Sequence, residues 1–184
     1  MTAVAVMAKR KNVGKPFEDE VREALDRTDA YSLRLYDPPP YLKGIANPCD
    51  IIAYREGVFY MLECKSVHGN RLPIFSNDPK GEHIYGNVSN AQWTGLTKAS
   101  RHGIVAGLLV WWVDRDVTKF IPIQTAQQIR DSGEKSIRYD VTGEGIFEVS
   151  GNKRRVYYDY DFQPFFDTYY SIYNKVYPYK GRTI

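Results

Sequence analysis

The chain has 184 residues, 25 lysines and arginines against 22 aspartates and glutamates, and a formal net charge of +3. That length suits one domain with a real core, and no stretch is apolar for long enough to span a bilayer, so an association with membranes is not expected. Met1 to Ala8 is too short for a secretory leader, and the only two cysteines are Cys49 and Cys64, so a reduced cytoplasmic protein is expected, not a disulfide scaffold.

In chain order, residues 1–12 read as a flexible basic arm that carries Lys9, Arg10 and Lys11, with Lys15 close behind, ahead of a single domain over 13–184. A first helix is predicted over 14–27, where Pro16 suits a first turn and Phe17, Val21 and Leu25 form an apolar stripe. It carries three candidate acids, Glu18, Glu20 and Glu23, although acids early in a helix are also favoured by its dipole. A strand is expected near Ser32 to Tyr36, and Asp37-Pro38-Pro39-Pro40 then forms a stiff loop.

Cys49 to Arg55 and Val58 to Lys65 are apolar, aromatic and β-branched enough to be strands, joined by Glu56-Gly57. A two-residue turn pairs Arg55 with Val58 and sets Asp50 opposite Glu63, with Cβ atoms about 5 Å apart. Alternation turns Lys65 to the same face as Glu63, while Cys64 points away from them, toward Cys49, as a buried reduced thiol. Two carboxylates this close repel unless a cation lies between them, and hard oxygen ligands suit Mg²⁺ or Mn²⁺ better than zinc. An ammonium beside them can hold an attacking water and meet charge that develops on a phosphate. A salt-bridged structural hairpin would use the same residues without any chemistry.

Residues 66–88, which include Arg71, read as a long loop lying against these acids. Ser89 to Arg101 reads as a second helix with Trp93 and Leu96 on its apolar side; Ser89 and Gln92 have the spacing of a capping box. Ile104 to Val113 should be a strand buried on both faces, Val117 to Ile123 its neighbour, and Thr125 to Asp131 a short helix. Gly145 to Val149 and Val156 to Tyr160 read as a final hairpin, next to the basic run Lys153-Arg154-Arg155. A last helix over 162–176 sets Phe162, Phe166, Tyr169, Tyr170 and Tyr173 at helical spacing, a stripe suited to the core, to a subunit interface or to stacking on bases. The basic runs are either solvated surface or phosphate contacts. His68, His83 and His102 lack metal-ligand spacing, no histidine is placed to activate a cysteine, and Gly-rich phosphate loops are absent.

Asp50, a gap, then Glu63-Cys64-Lys65 closing an apolar strand resembles the core of the PD-(D/E)xK nucleases, with Pro48 one residue further from the aspartate than that pattern has it. Glu18, four residues after Gly14, the run Val88-Ser89-Asn90-Ala91-Gln92, and the segments Gly133 to Ile137 and Arg154 to Tyr160 are similar to RecU-type Holliday-junction resolvases, phage-encoded relatives included. The resemblance runs from about Asn12 to about Asp167. It implies an α/β fold with a central mixed β-sheet flanked by helices, as in restriction endonucleases, and a Mg²⁺-dependent endonuclease that cuts four-way junctions in DNA recombination and repair as a homodimer. By the same resemblance, Asp50, Glu63 and the Cys64 backbone carbonyl hold Mg²⁺, with Mn²⁺ as a substitute, and Glu18 joins through water or helps hold a second ion. Lys65 then activates the nucleophile, and Gln92 lies near the metal. Arg10, Lys11, Lys15, Arg71, Lys153, Arg154 and Arg155 are the expected DNA contacts. Tyr31 to Asn47 is short where those resolvases insert a long stalk, and Asn77 to Asn87 looks like an added loop. Two other readings therefore stand beside the junction resolvase: an endonuclease acting on duplex or flap DNA, and a non-catalytic DNA-binding module on the same fold.

Overall fold

A computed structural model of the chain describes residues 14–36, 47–74, 87–154 and 158–176. The expected basic arm over 1–12, the proline loop and most of the expected added loop lie outside the described residues. Helices α1 (Gly14–Asp26), α2 (Asn90–Arg101), α3 (Ile123–Asp131) and α4 (Gln163–Val176) flank a six-stranded sheet. Its strands are β1 (Tyr31–Arg34), β2 (Ile51–Arg55), β3 (Val58–Val67), β5 (Val105–Trp112), β6 (Val117–Pro122) and β8 (Phe147–Glu148), adjacent in that order. The β3–β5 pair is parallel and every other neighbouring pair antiparallel, so the sheet is mixed. This is the α/β class that the sequence predicts.

Two apolar layers cover the sheet. On one face Phe17, Val21 and Leu25 of α1, Phe162 just ahead of α4, and Phe165, Phe166 and Tyr169 of α4 bury Ile51, Ala53, Tyr60 and Leu62. On the other, Trp93, Leu96 and Ala99 of α2 and Ala126 of α3 bury Leu108, Val110 and Trp112. The near-continuous apolar run of β5 follows from this double cover, since a strand with helices on both sides has no solvent face. At Gly107 an added Cβ would lie 2.3 Å from the Ile121 carbonyl oxygen, so glycine lets β6 cross closely there. No helix among the described residues is long and apolar enough to cross a membrane.

Three expectations need correction. The segment predicted as loop over 66–88 continues β3 to Val67 and then forms β4 (Arg71–Pro73), which pairs with β7 (Ser136–Arg138) in a separate ribbon. The final hairpin is shifted: β9 (Gly151–Lys153) pairs with β10 (Tyr158–Tyr160), whereas Phe147 and Glu148 add an edge to the main sheet. Backbone donors explain the split, because Val149 N–H reaches the Thr118 carbonyl of β6 at 2.9 Å, whereas the Ser150 carbonyl already accepts the Asp161 N–H at 2.9 Å beside the β9–β10 ribbon. On α4 the buried stripe includes Phe165 and leaves Tyr170 38 % exposed, so most of these rings serve the chain's own core and not a partner.

Candidate active site

The site begins with the turn. Glu56 at φ 50° and Gly57 at φ 85° give the two left-handed residues of a tight hairpin turn, which fixes Arg55 opposite Val58 and carries the register to Ile51 opposite Leu62. The regular ladder stops one pair short of Asp50 and Glu63. Asp50 N–H donates to the Leu62 carbonyl at 3.1 Å, one residue out of register, and its Oδ2 accepts the Cys64 N–H at 2.8 Å. Asp50 thus remains at the side of Glu63 through its own side chain. The same bend sends Cys49 into the α2 layer while Cys64 packs with α1 and α4, so the thiols do not face each other as alternation predicted. Both are free and buried, as expected.

Glu63 is fully buried in the middle of β3. Lys65 Nζ lies 2.5 Å from its Oε1, and Gln92 Nε2 donates to the same oxygen at 2.5 Å. Oε2 is buried with no N–H donor to meet it, and the Asp50 carboxyl lies within hydrogen-bonding distance of Glu63. Loss of water pushes the Glu63 carboxyl up to about 8; Lys65 opposes the rise and the Asp50 charge adds to it. Burial likewise raises the Cys64 thiol well above its ordinary value, aided by the negative charges of Asp50, Glu63 and Glu18.

Glu18, on the first turns of α1, is held by Arg34 of β1, whose guanidinium also grips Asp19. Burial alone would lower the Arg34 pKa, but Glu18 and Asp19 beside it carry it above its usual value. Arg34 was not among the sequence candidates, and no local motif marks it: only the pairing of β1 with β2 brings it over α1. Among the described residues no three His, Cys, Asp or Glu side chains converge on one point, so Glu18 does not complete a three-carboxylate cage with Asp50 and Glu63.

Gln92 forms the capping box read from its spacing and also meets Glu63. Its Oε1 accepts the Ser89 N–H at 2.9 Å and its own N–H donates to Ser89 Oγ at 3.2 Å, a complete capping box at the start of α2. Because the amide oxygen is thereby occupied, the amide nitrogen is the atom left to face Glu63. Gly95 seats the helix: a Cβ there would fall 2.5 Å from Pro48 Cβ, so α2 lies directly on the segment that leads into Asp50.

The predicted DNA contacts fare unevenly. Arg10, Lys11 and Arg155 lie outside the described residues, and Lys15 sits in the first turn of α1. Arg71 on β4 donates to Ser136 Oγ at 3.0 Å and lies 3.9 Å from Glu134. Lys153 pairs with Asp116 at 2.5 Å, and Arg154 with Asp159 at 3.1 Å, which limits the charge they offer a phosphate. His68 meets Asp114 at 2.8 Å and His102 caps α2, both away from ligand roles.

A buried carboxylate oxygen with no N–H donor, next to a second carboxylate, fits a hard divalent cation, and oxygen donors are the set Mg²⁺ or Mn²⁺ takes. No protein-family model matches the chain, and no curated protein does. Among solved structures it is similar to Hjc of Archaeoglobus fulgidus, a Holliday junction resolvase from an archaeal hyperthermophile, at 20% identity and a TM-score of 0.42, over 60% of this chain and 78% of that one.

Proposed function

We propose that this chain is a metal-dependent DNA endonuclease of the PD-(D/E)xK type that cuts four-way junctions inside the cell, as a homodimer. The split of Glu63 supports this reading best: one oxygen is gripped by Lys65 and Gln92, and the other is buried beside the Asp50 carboxyl with no N–H donor to meet it. Burying such an oxygen without a donor costs on the order of 1–3 kcal/mol or more, a cost that a structural hairpin would have no reason to bear. Asp50, Glu63 and the Cys64 carbonyl would hold Mg²⁺ or Mn²⁺, which when bound supplies Lewis acidity toward phosphate and water.

The chain's own groups do the positioning. Gln92 and Lys65 fix the Glu63 carboxylate through Oε1, which leaves Oε2 as the oxygen that would meet the cation. Asp50 is oriented by the Cys64 N–H, so both acids are braced by β3 itself. Lys65, 18 % exposed, offers its ammonium to an incoming phosphate or to the attacking water. Glu18, tethered by Arg34, takes part through intervening water. Phosphodiester hydrolysis asks for stabilisation of order 20 kcal/mol, shared among these groups.

The test compares an immobile four-way junction with linear duplex of the same sequence in Mg²⁺. Symmetric paired nicks in the junction and an intact duplex are expected. Equal cutting of both would reassign the chain to a duplex endonuclease, and binding without cutting of either would make it a binding module.

A further inference from the structure

Outside the acids, a groove of about 390 Å³ between α2 and α3 carries three basic side chains among its lining residues. Thr94, Thr97, Lys98 and Arg101 line it from α2, where their i, i+3, i+4 and i+7 spacing makes one stripe, and Gln127 and Arg130 line it from α3. Its floor is Trp93, over whose ring the Arg130 guanidinium stacks at 4.8 Å from the centroid. Gln127 Nε2 donates to Thr97 Oγ1 at 3.2 Å and ties the two helices together. Lys98 and Arg101 are exposed, and neither pairs with an acid among the described residues. They differ in this from Lys153, Arg154 and Arg71, each of which has a carboxylate within 4 Å.

We infer that this α2–α3 groove binds the phosphate backbone of nucleic acid, with Lys98 and Arg101 as the phosphate contacts. The inference rests on the nuclease reading above and names where its substrate runs. Cations without acid partners, interspersed with hydroxyl and amide donors, are the chemistry that holds phosphate oxygens. Position supports it as well. Gln92 meets Glu63, whereas Thr94 and Arg101 of the groove stand about 160–180° round the helix from Gln92 at 100° per residue, so the acids lie on one flank of α2 and the groove on the other. The roughly 10–12 Å width of a helix is crossed by a DNA strand in about three nucleotides at 3.4 Å each. Phosphates about three nucleotides from the scissile bond would then reach the groove.

The experiment measures binding of a four-way junction, without cleavage, in a Glu63→Gln parent across a salt series. Each phosphate contact contributes about 0.9 to the slope of log affinity against log salt. The added pair Lys98→Gln and Arg101→Gln should flatten the slope by about 1.8 and weaken binding about 50-fold at roughly 0.1 M salt. Lys98→Arg alone should retain parental binding, and Lys153→Gln with Arg154→Gln should change the slope by less than half as much. Both neutralised residues are exposed, so an unaltered melting temperature checks that the fold is intact. An unchanged slope in the Lys98, Arg101 variant of a parent that binds DNA overturns the groove assignment alone. A parent that binds no DNA at any salt overturns the nuclease reading with it.

Discussion

Glu63→Gln is the perturbation whose energetics follow most directly from the site. In the metal-free protein the Glu63 carboxyl is pushed up to about 8 by burial, against an ordinary value of 4.5. Between those values the folded chain holds a proton that the unfolded chain has released, so stability falls as pH rises. The contribution is fully present below about pH 4.5 and is lost as pH passes 8. At about 1.4 kcal/mol per pH unit, the gap amounts to roughly 5 kcal/mol, and at 2–4 °C per kcal/mol for a chain of this size that is about 10 °C or more of melting temperature. The glutamine keeps an oxygen for Gln92 and cannot ionise. Thermal melts in chelator at pH 5 and pH 9 should therefore show wild type losing about 10 °C more than Glu63→Gln. Saturating Mg²⁺ at pH 9 should restore wild type and leave the variant unmoved. Parallel losses in the two proteins would refute the buried, cation-requiring carboxylate.

Other expectations follow from the supports around the acids. Gly95→Ala forces α2 off Pro48, so it should cost about 1–3 kcal/mol in denaturant unfolding and reduce cleavage, through the distance between Gln92 and Glu63. Ser89→Ala removes the acceptor for the Gln92 N–H and should cost about 1 kcal/mol, a loss that Ser89→Thr largely avoids. Because burial holds the Cys49 thiol up to about 12 and the Cys64 thiol well above its ordinary value, with the two in separate layers, neither thiol should react with an alkylating reagent at pH 8 in the native state. No Cys49–Cys64 disulfide should appear by non-reducing mass spectrometry after oxidation.

Much of the site could be read from the chain because it rests on local rules. A two-residue turn with Gly57 sets a register, and alternation along β3 puts Glu63 and Lys65 on one face; both hold in the structure. Alternation also predicted Cys49 opposite Cys64, and failed there because it applies only within a ladder, which ends at Ile51. Arg34 was missed because its bond to Glu18 joins residues sixteen apart through tertiary packing alone. At Gln92 the capping and Glu63 roles looked like rivals because a sequence does not show that an amide has two ends to use. The shift of the last hairpin has a similar origin: Phe147 and Glu148 suit any strand edge, and only β6's open donors and acceptors decide which.

Asp50 and Glu63 are proposed to share one cation, and calorimetric titration of Mn²⁺ into wild type, Asp50→Asn and Glu63→Gln reads that sharing out. A saturable site in wild type that is lost in both variants is the predicted result. Equal Mn²⁺ affinity in all three proteins would contradict it.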